Sequence, residues 1–172
     1  MLEMAELTPS ELRLCVKAAE GRLLDLRCGR ATDDAPASDG RWGSERQVRA
    51  QVLVQLLTGQ GPPLATTVGA VRLRGAAIVG RLNLGGETLR CPLELYESYL
   101  GGRLDLAKAA APNISLRGSC LRRRLSARQL TVTHSLGGVP DCAGARLANP
   151  GGQALLADGL AVDGGCSCPT PR

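Results

Sequence analysis

The sequence predicts a mainly β protein, a short right-handed β-solenoid of about 22 residues per coil behind an N-terminal α-helical cap. Two observations predict this class. From Val71 onward, two apolar residues two positions apart are followed by a third five positions further on, and such sets start 10 or 11 residues apart. In addition, the 172 residues include no Phe, one Trp and two Tyr. Small aliphatic side chains must therefore fill the interior, as the narrow core between stacked strands allows.

Residues 1–60 are predicted to form the helical cap. Thr8 can cap a helix that has Pro9 in its first turn and Glu11 three residues on, which together form a capping box. A short strand is expected over 22–27 and a loop over 28–43. A second helix is expected from about Glu45 to Leu57, with its apolar face over the first coil. The apolar stripe expected on the first helix is Leu12, Cys15, Val16 and Ala19.

Residues 61–165 are predicted to form the solenoid, because its apolar sets follow the alternation of strands and not the spacing of a helix. An 11-residue unit is too short for a closed coil, and a second pattern in the sequence indicates that one coil contains two such units. An arginine precedes a leucine at spacings of 22, 21 and 22 residues, at Arg81, Arg103, Arg124 and Arg146. The sequence therefore predicts three stacked trios: Leu82, Leu104 and Leu125; Leu73, Leu95 and Leu116; and Ile78, Leu100 and Leu121.

Residues 166–172 are predicted to be a tail. A solenoid that ends without a cap exposes a strand edge and apolar core. The tail, another chain, or missing coils of a longer relative could each account for this end. Self-association through the uncapped C-terminal coil is therefore one expected partnership.

The basic charge of the chain is concentrated in its middle. The formal net charge is +5, yet residues 71–134 hold eleven basic and four acidic groups. Arg81, Arg103, Arg122 and Arg124 are the candidate anion-binding residues, and the expected partner is a macromolecule with an anionic surface. A solvated face that blunts sheet edges is the alternative. The scarcity of aromatic residues argues against recognition of single-stranded nucleic acid.

Other candidates for chemistry are weaker, and no catalytic, cofactor-binding or metal-binding residue is predicted. His134 has only Asp141 as a nearby acid in sequence, and nothing resembles a nucleophile elbow. Cys166 and Cys168 form a single CxC, whereas structural zinc sites use two paired motifs. Gly80 and its neighbours lie between short strands with no helix to follow, unlike a dinucleotide-binding turn.

Two runs, from Leu73 to Leu84 and from Ala143 to Gly152, resemble pentapeptide-repeat-like proteins of actinomycetes. The segment from Trp42 to Leu57 is similar to the helix that precedes the repeats in those proteins. The resemblance implies a β-solenoid. Members often carry the label oxidoreductase or membrane-associated oxidoreductase, so an oxidoreductase is the alternative function that the resemblance implies. A DNA mimic of this family would be acidic, whereas this solenoid is basic.

The leading expectation is therefore a non-catalytic interaction or scaffold protein. No apolar stretch reaches the roughly 20 residues that span a bilayer, and the first residues do not have the pattern of a signal peptide. The seven cysteines form an odd set without framework spacing, which is typical of small buried side chains in a reducing compartment. We therefore expect a cytoplasmic protein without a transmembrane segment.

Overall fold

The computed structural model describes residues 6–36, 42–60, 67–133, 142–150 and 152–159, and the backbone of 161–162. It confirms the mainly β class. The helices are α1 (Pro9–Ala19), α2 (Ala31–Asp34) and α3 (Ala50–Thr58). The strands are β1 Leu23–Asp25, β2 Gln47–Arg49, β3 Val71–Arg74, β4 Ala77–Val79, β5 Leu82–Asn83, β6 Leu93–Tyr96, β7 Tyr99–Leu100, β8 Leu104–Asp105, β9 Ala110–Ala111, β10 Ile114–Ser115, β11 Cys120–Leu121, β12 Leu125–Ser126, β13 Thr131–Val132, β14 Arg146–Leu147, β15 Leu155–Leu156 and β16 Ala161–Val162.

The strands form four parallel sheets, which the chain visits in turn. Sheet A has the order β1-β3-β6-β10 and sheet B the order β2-β4-β7-β11-β14. Sheet C has the order β5-β8-β12-β15 and sheet D the order β9-β13-β16. The chain passes from A to B, C and D and then returns to A. We call one such passage a repeat, and each repeat adds its strands beside those of the repeat before it.

The predicted stacking of leucines is confirmed where strand pairing fixes it. Leu104 lies opposite Leu82 on one side and Leu125 on the other. Leu100 lies between Ile78 and Leu121 in the same way. In sheet A, Leu73 and Leu95 lie opposite each other. These side chains are buried, and together with neighbouring aliphatic residues they form one hydrophobic core.

Left-handed backbone conformations turn the chain at two corners of every repeat. At the corner between sheets A and B, Gly75, Glu97, Gly118 and Gly144 all have positive φ. At the corner between sheets C and D, the same holds for Gly86, Lys108, Gln129 and Gly159. Glycine adopts this conformation without a steric penalty. The abundance of glycine thus reflects tight corners, as the sequence predicts.

Helix α1 confirms the predicted start but presents a different face to the core. The N–H of Glu11 donates to the Thr8 hydroxyl, and the N–H of Thr8 donates to the Glu11 carboxylate. Val16 and Ala19, predicted to be inward, are exposed. The buried positions are Ser10, Glu11, Leu14, Cys15 and Ala18. The apolar stripe was a poor guide because Glu11 is itself buried and rotates the inward face toward its partner Arg49.

The predicted second helix is shorter than expected. Residues Ser44–Arg46 form a 3-10 turn, Gln47–Arg49 form β2, and only from Ala50 is the chain α-helical. The reason is pairing, because Val48 lies opposite Ile78 and extends sheet B while its side chain is fully buried. The predicted loop over 28–43 also needs correction, since it contains the helical turn α2.

The N-terminal residues cover one end of the repeats. Strand β1 pairs with β3 and extends sheet A, while β2 pairs with β4 and extends sheet B. Helix α3 packs on β5, at the edge of sheet C where pairing stops. Its buried side chains include Val52, Leu53, Leu56 and Leu57. This arrangement keeps water from the core of the first repeat.

Removal of residues 1–60 should therefore give a product that aggregates, because it exposes Val71, Leu73 and the rest of the first repeat's core. Size-exclusion chromatography of the shortened chain measures this. A milder pair of variants in the full chain makes the same comparison. Val52→Asp, on the buried face of α3, should aggregate, and Val16→Asp, at an exposed position of α1, should not. A soluble, folded, monomeric 61–172 fragment would show that these residues are not a cap.

Within the described residues, no helix has the length and apolarity needed to cross a membrane.

Candidate anion-binding surface

Three of the four candidate arginines stand in register at the start of successive sheet C strands. The N–H of Leu82 donates to the carbonyl of Arg103 (3.0 Å), and the N–H of Leu104 donates to the carbonyl of Arg124 (3.2 Å). Arg81, Arg103 and Arg124 thus occupy equivalent places, as predicted, each directly before a buried leucine. We call these three residues the arginine column. Neighbouring strands lie about 4.8 Å apart, so the like charges are close.

A carboxylate that the sequence analysis did not identify pairs with two of the three arginines in the arginine column. Asp105 lies 3.4 Å from the Nη2 atoms of both Arg81 and Arg103. Its side chain is only 13% exposed, whereas that of Arg81 is 56% exposed. Repulsion between the first two arginines is therefore offset. The available signal was the alternation Arg103-Leu104-Asp105, which places the first and third residues on the same outward face.

Arg124 carries the uncompensated charge of the column. Among the residues that the structure describes, no carboxylate pairs with its side chain. The Nε atom of Arg103 is buried and has no described hydrogen-bond partner, so an outside acceptor cannot reach it. The guanidinium group of Arg124 can take up further acceptors.

Arg122 lies on a different sheet from the one expected. Its N–H donates to the carbonyl of Leu100 (3.1 Å), which places it directly after the sheet B strand β11. Arg123 lies in a bend, and both side chains are exposed. The strand does not continue from Arg122 to Arg124, because the chain turns there from sheet B into sheet C. Arg81, Arg103, Arg122, Arg123 and Arg124 together form the arginine corner.

The backbone at this corner is tightly packed between repeats. A Cβ atom at Gly102 would overlap with the carbonyl oxygen of Gly80. Only glycine therefore fits at position 102, and the chains of the first two repeats touch there without intervening side chains. In the third repeat the equivalent position is held by Arg123. The arginine side chains thus project from a corner with a compact backbone.

Arg146 does not belong to the column, contrary to the sequence prediction. It lies opposite Cys120 in sheet B, and the sheet C partner of Leu125 is Leu155. The place equivalent to Arg124 is taken by Ala154, whose carbonyl accepts from the N–H of Leu125. The reason is extra chain before Arg146: 26 positions separate Leu121 from its partner Leu147, whereas 21 separate Leu100 from Leu121. A second lengthening follows, since eight positions separate Leu147 from Leu155 and four separate Leu121 from Leu125.

Arginines on sheet A are neutralised, in contrast to those at the corner. Glu97 accepts from Arg74 (2.6 Å) and Arg27 (3.2 Å), and Arg27 also pairs with Asp25 (2.7 Å). Hydrogen bonds from Arg74 and the two arginine charges hold the pKa of Glu97 below its ordinary value, although partial burial raises it. Arg72 pairs with Glu94 in the same sheet. Within the described part of the chain, Arg72 and Arg74 of sheet A thus have acidic partners, whereas Arg124 at the arginine corner has no described carboxylate partner.

The cysteines behave only in part as predicted. Cys15, Cys91 and Cys120 are buried and free, as expected for small apolar side chains. Burial raises the pKa of the Cys91 thiol to about 11, which keeps it protonated at neutral pH. Cys28 is exposed, contrary to expectation. It lies at the start of the connection that leads to α2, where its N–H donates to Asp34.

Some candidates from the sequence lie outside the described residues, namely His134, Cys166, Cys168 and the predicted tail over 166–172. Within the described part of the chain, no three His, Cys, Asp or Glu side chains are grouped closely enough to hold a metal ion.

No protein-family model matches this chain, and no curated protein or solved structure is significantly similar to it.

Proposed function

We propose that this protein is a non-catalytic interaction protein, whose flat parallel-sheet faces bind a macromolecular partner and whose arginine corner contacts anionic groups on it. One observation carries the proposal. Among the described residues, Asp105 is the one carboxylate paired with the arginine column, and it is shared by Arg81 and Arg103, while Arg72 and Arg74 of sheet A each have an acidic partner. Such a surplus attracts anions over a Debye length.

Guanidinium groups suit this role because they bind phosphate and carboxylate through two parallel hydrogen bonds. Arg122 and Arg123 are exposed and project from the bend. Asp105 holds Arg81 and Arg103 at 3.4 Å, a length that leaves both free to reorient toward a stronger acceptor. The corner thus offers several donors on a fixed backbone, which reduces the entropy that binding must overcome.

We also propose that the repeats wind as a right-handed β-solenoid of the pentapeptide-repeat-like kind. The parallel pairing of each strand with its equivalent 21 or 22 residues away supports this, as do the left-handed corners that recur in each repeat. Right-handed connection is the general rule for parallel strands. A crystal structure in which the repeats do not wind in a single right-handed sense would overturn this part.

For location we propose the cytoplasm. Three buried thiols, those of Cys15, Cys91 and Cys120, are free, and free thiols persist in a reducing compartment. Fractionation of the source cells tests this, and recovery of the protein in an extracytoplasmic fraction would contradict it.

Replacement of all three column arginines by Gln should weaken retention on heparin and flatten its dependence on salt. Each lost ionic contact with a polyanion reduces the slope of log K against log salt, by about 0.9 for a phosphate of B-form DNA, and the sulfates of heparin should act in the same direction. The melting temperature should change little, because Gln can still donate a hydrogen bond to the partly buried Asp105 and because ion pairs of exposed arginines contribute little to stability. Elution from a heparin column over a salt gradient measures the effect.

The matched control replaces Arg13, Lys17 and Arg22 by Gln, which removes the same charge from the N-terminal region. Their side chains are exposed or half-exposed, and Lys17 and Arg22 pair with the exposed Glu20. If the column variant elutes at the same salt concentration as the parent, or if the control shifts as far, the arginine corner is only a solvated face.

A further inference from the structure

The outer face of sheet B has an apolar centre that is bordered by arginines. Val48, Ile78 and Leu100 of this sheet are buried in the core, so the residues that alternate with them point outward. None of these outward residues is acidic. In strand order, they are Gln47, Ala77, Tyr99, Cys120 and Arg146 in one row, and Arg49, Val79, Gly101 and Arg122 in the other.

Tyr99 is the aromatic residue of this face. The other two aromatic side chains use their polar groups internally, since Trp42 donates to a backbone carbonyl and Tyr96 donates to the carboxylate of Glu94. The hydroxyl of Tyr99, in contrast, has no hydrogen-bond partner among the described residues. A Cβ atom at Gly101 would lie 3.2 Å from Tyr99 Cε1. The ring therefore leans along its strand over Gly101, where no side chain covers the sheet.

Val79 adjoins this ring and completes an apolar patch. The register that places Ala77 beside Tyr99 also places Val79 beside Gly101, over which the ring leans. Val79 is 45% exposed. We call Val79 and Tyr99 the apolar patch of sheet B. The other large apolar side chains that are exposed in the described chain lie on α1, sheet A and sheet C, at Val16, Leu23 and Leu155.

The apolar patch lies directly beside the arginine column. Arg81 follows Val79 by two residues, and Arg103 follows Gly101 by two residues. At about 3.3 Å per residue, the backbone covers at most roughly 7 Å between the patch and the column. Residues two positions apart in an extended segment have the same separation and share one face. One extended segment can therefore place one side chain on the patch and its next side chain on the arginines.

This combination favours a protein segment over a polyanion. Tyrosine and arginine are the residue types that contribute most of the binding energy at protein interfaces. A nucleic acid backbone would use the arginine column and leave Val79 without an apolar contact, and binding of a single strand normally uses a series of aromatic platforms. A purely apolar segment would remove water from the arginines without supplying acceptors. An acidic segment that carries an apolar side chain satisfies both halves of the surface.

We infer that the outer face of sheet B, together with the arginine column, binds an extended acidic segment of a partner protein, with an apolar side chain of that segment on Val79 and Tyr99 and its carboxylates on the arginines. Arg81 and Arg103 share Asp105, and Arg124 has no described carboxylate partner, so the column keeps a positive charge for this purpose. This inference rests on the proposed function, because it names the partner of the same corner.

The test is fluorescence anisotropy of the full chain with three labelled probes. These are a short peptide with one central leucine among glutamates, the same peptide with glutamate in place of the leucine, and a DNA duplex. The parent should bind the leucine peptide more tightly than the other two probes. Val79→Ser should weaken binding of the leucine peptide by about fivefold, which is typical of a moderate interface contact, and leave the all-glutamate peptide unchanged.

Val16→Ser is the matched control, because Val16 is a valine of similar exposure (52%) on α1. It should leave the binding of all three probes unchanged. Tyr99→Ala should weaken the leucine peptide as Val79→Ser does. Circular dichroism of each variant shows whether a loss of binding is a loss of fold, and Val79→Ser, at an exposed position, should keep the parent's spectrum.

The outcomes separate this inference from the proposal beneath it. If Val79→Ser binds the leucine peptide as tightly as the parent, or if either other probe binds at least as tightly as the leucine peptide, the inference is wrong. The anion-binding arginine corner then still stands, provided that replacement of Arg81, Arg103 and Arg124 by Gln weakens binding of the probes. If the parent binds none of the three probes, both the inference and the proposed function fail.

Discussion

Leu104→Asp should destabilise the protein by about 4 kcal/mol or more, enough to unfold a domain of ordinary stability. Leu104 is fully buried and lies between Leu82 and Leu125 in sheet C. An aspartate at this position places a charge in the aliphatic core, where no described basic side chain can reach it. Desolvation of that charge is the source of the cost. Chemical denaturation followed by circular dichroism measures it.

The matched control is the same substitution at the last leucine of this stack in sheet C. Leu155 lies opposite Leu125 in sheet C but is 48% exposed. Leu155→Asp should therefore cost about 1 kcal/mol or less, since the new carboxylate stays in water. Equal losses at the two positions would mean that Leu104 is not in the interior of the stack. A Leu104→Asp variant with the parent's denaturation midpoint would have the same meaning.

Glu11→Ala should give the second large loss, about 2–4 kcal/mol. The Glu11 side chain is 1% exposed. Its carboxylate accepts from the backbone N–H of Arg49 (2.9 Å), from Arg49 Nε (2.8 Å) and Nη2 (2.6 Å), and from the N–H of Thr8 (2.9 Å). Removal of the carboxylate leaves these donors without their acceptor and weakens the contact between α1 and β2. Arg49 is 38% exposed and can turn to water, which limits the loss.

Lowering the pH should reveal how much the interaction between Glu11 and Arg49 stabilises the folded protein. Burial raises the pKa of Glu11, but the hydrogen bonds from Arg49 and Thr8 and the charge of Arg49 outweigh it, so the pKa lies below its ordinary value of 4.5. A carboxyl group with a lowered pKa in the folded state stabilises fully above its unfolded pKa. That contribution is lost as pH falls through the folded value. Thermal melts should thus show a shallower acid decline for Glu11→Gln than for the parent.

Glu20 is the control for both measurements, because it lies directly after α1, is 45% exposed and makes only longer ion pairs with Lys17 and Arg22. Glu20→Gln should change stability by a few tenths of a kcal/mol and leave the acid decline as in the parent. If Glu11→Gln and Glu20→Gln have the same pH profile, the Glu11–Arg49 pair does not tie α1 to sheet B.

The repeats were predictable because each repeat obeys the same two rules. Alternation marks inward residues, and a fixed spacing marks which of them stack, so Leu82, Leu104 and Leu125 could be aligned from sequence alone. Glycine residues mark many of the corners in the sequence. Where a non-glycine residue takes the left-handed conformation, as at Glu97 or Lys108, only its place in the repeat identifies it.

The N-terminal part was harder because its structure depends on partners distant in sequence. Gln47–Arg49 has helical neighbours, and it becomes a strand because the edge of sheet B is open to it. Glu11 has the pattern of an ordinary capping residue, yet its second role depends on Arg49, 38 positions away. Local propensity carries no signal for either contact.

The sequence predicted the position of the candidate site, but it did not predict which of the arginine charges are neutralised. Spacing placed Arg81, Arg103 and Arg124 together, but pairing with Asp105 could be inferred only by asking which residues share their outward face. Arg146 was assigned to the column because its spacing fits. Spacing alone cannot detect that the chain before Arg146 has lengthened, so the strand that contains Arg146 was placed one sheet too far along.

The lengthened connection also shows how this architecture tolerates change in chain length. Four additional positions between Leu147 and Leu155 leave Leu121 opposite Leu147 and Leu125 opposite Leu155. Extra residues are thus looped out at a corner, and the strands on either side keep their alignment. An insertion within a strand would instead turn inward side chains outward. Evolution can accordingly lengthen such a chain in two ways, by adding whole repeats or by enlarging corners, and the corner that carries the arginines is one that this chain has already enlarged.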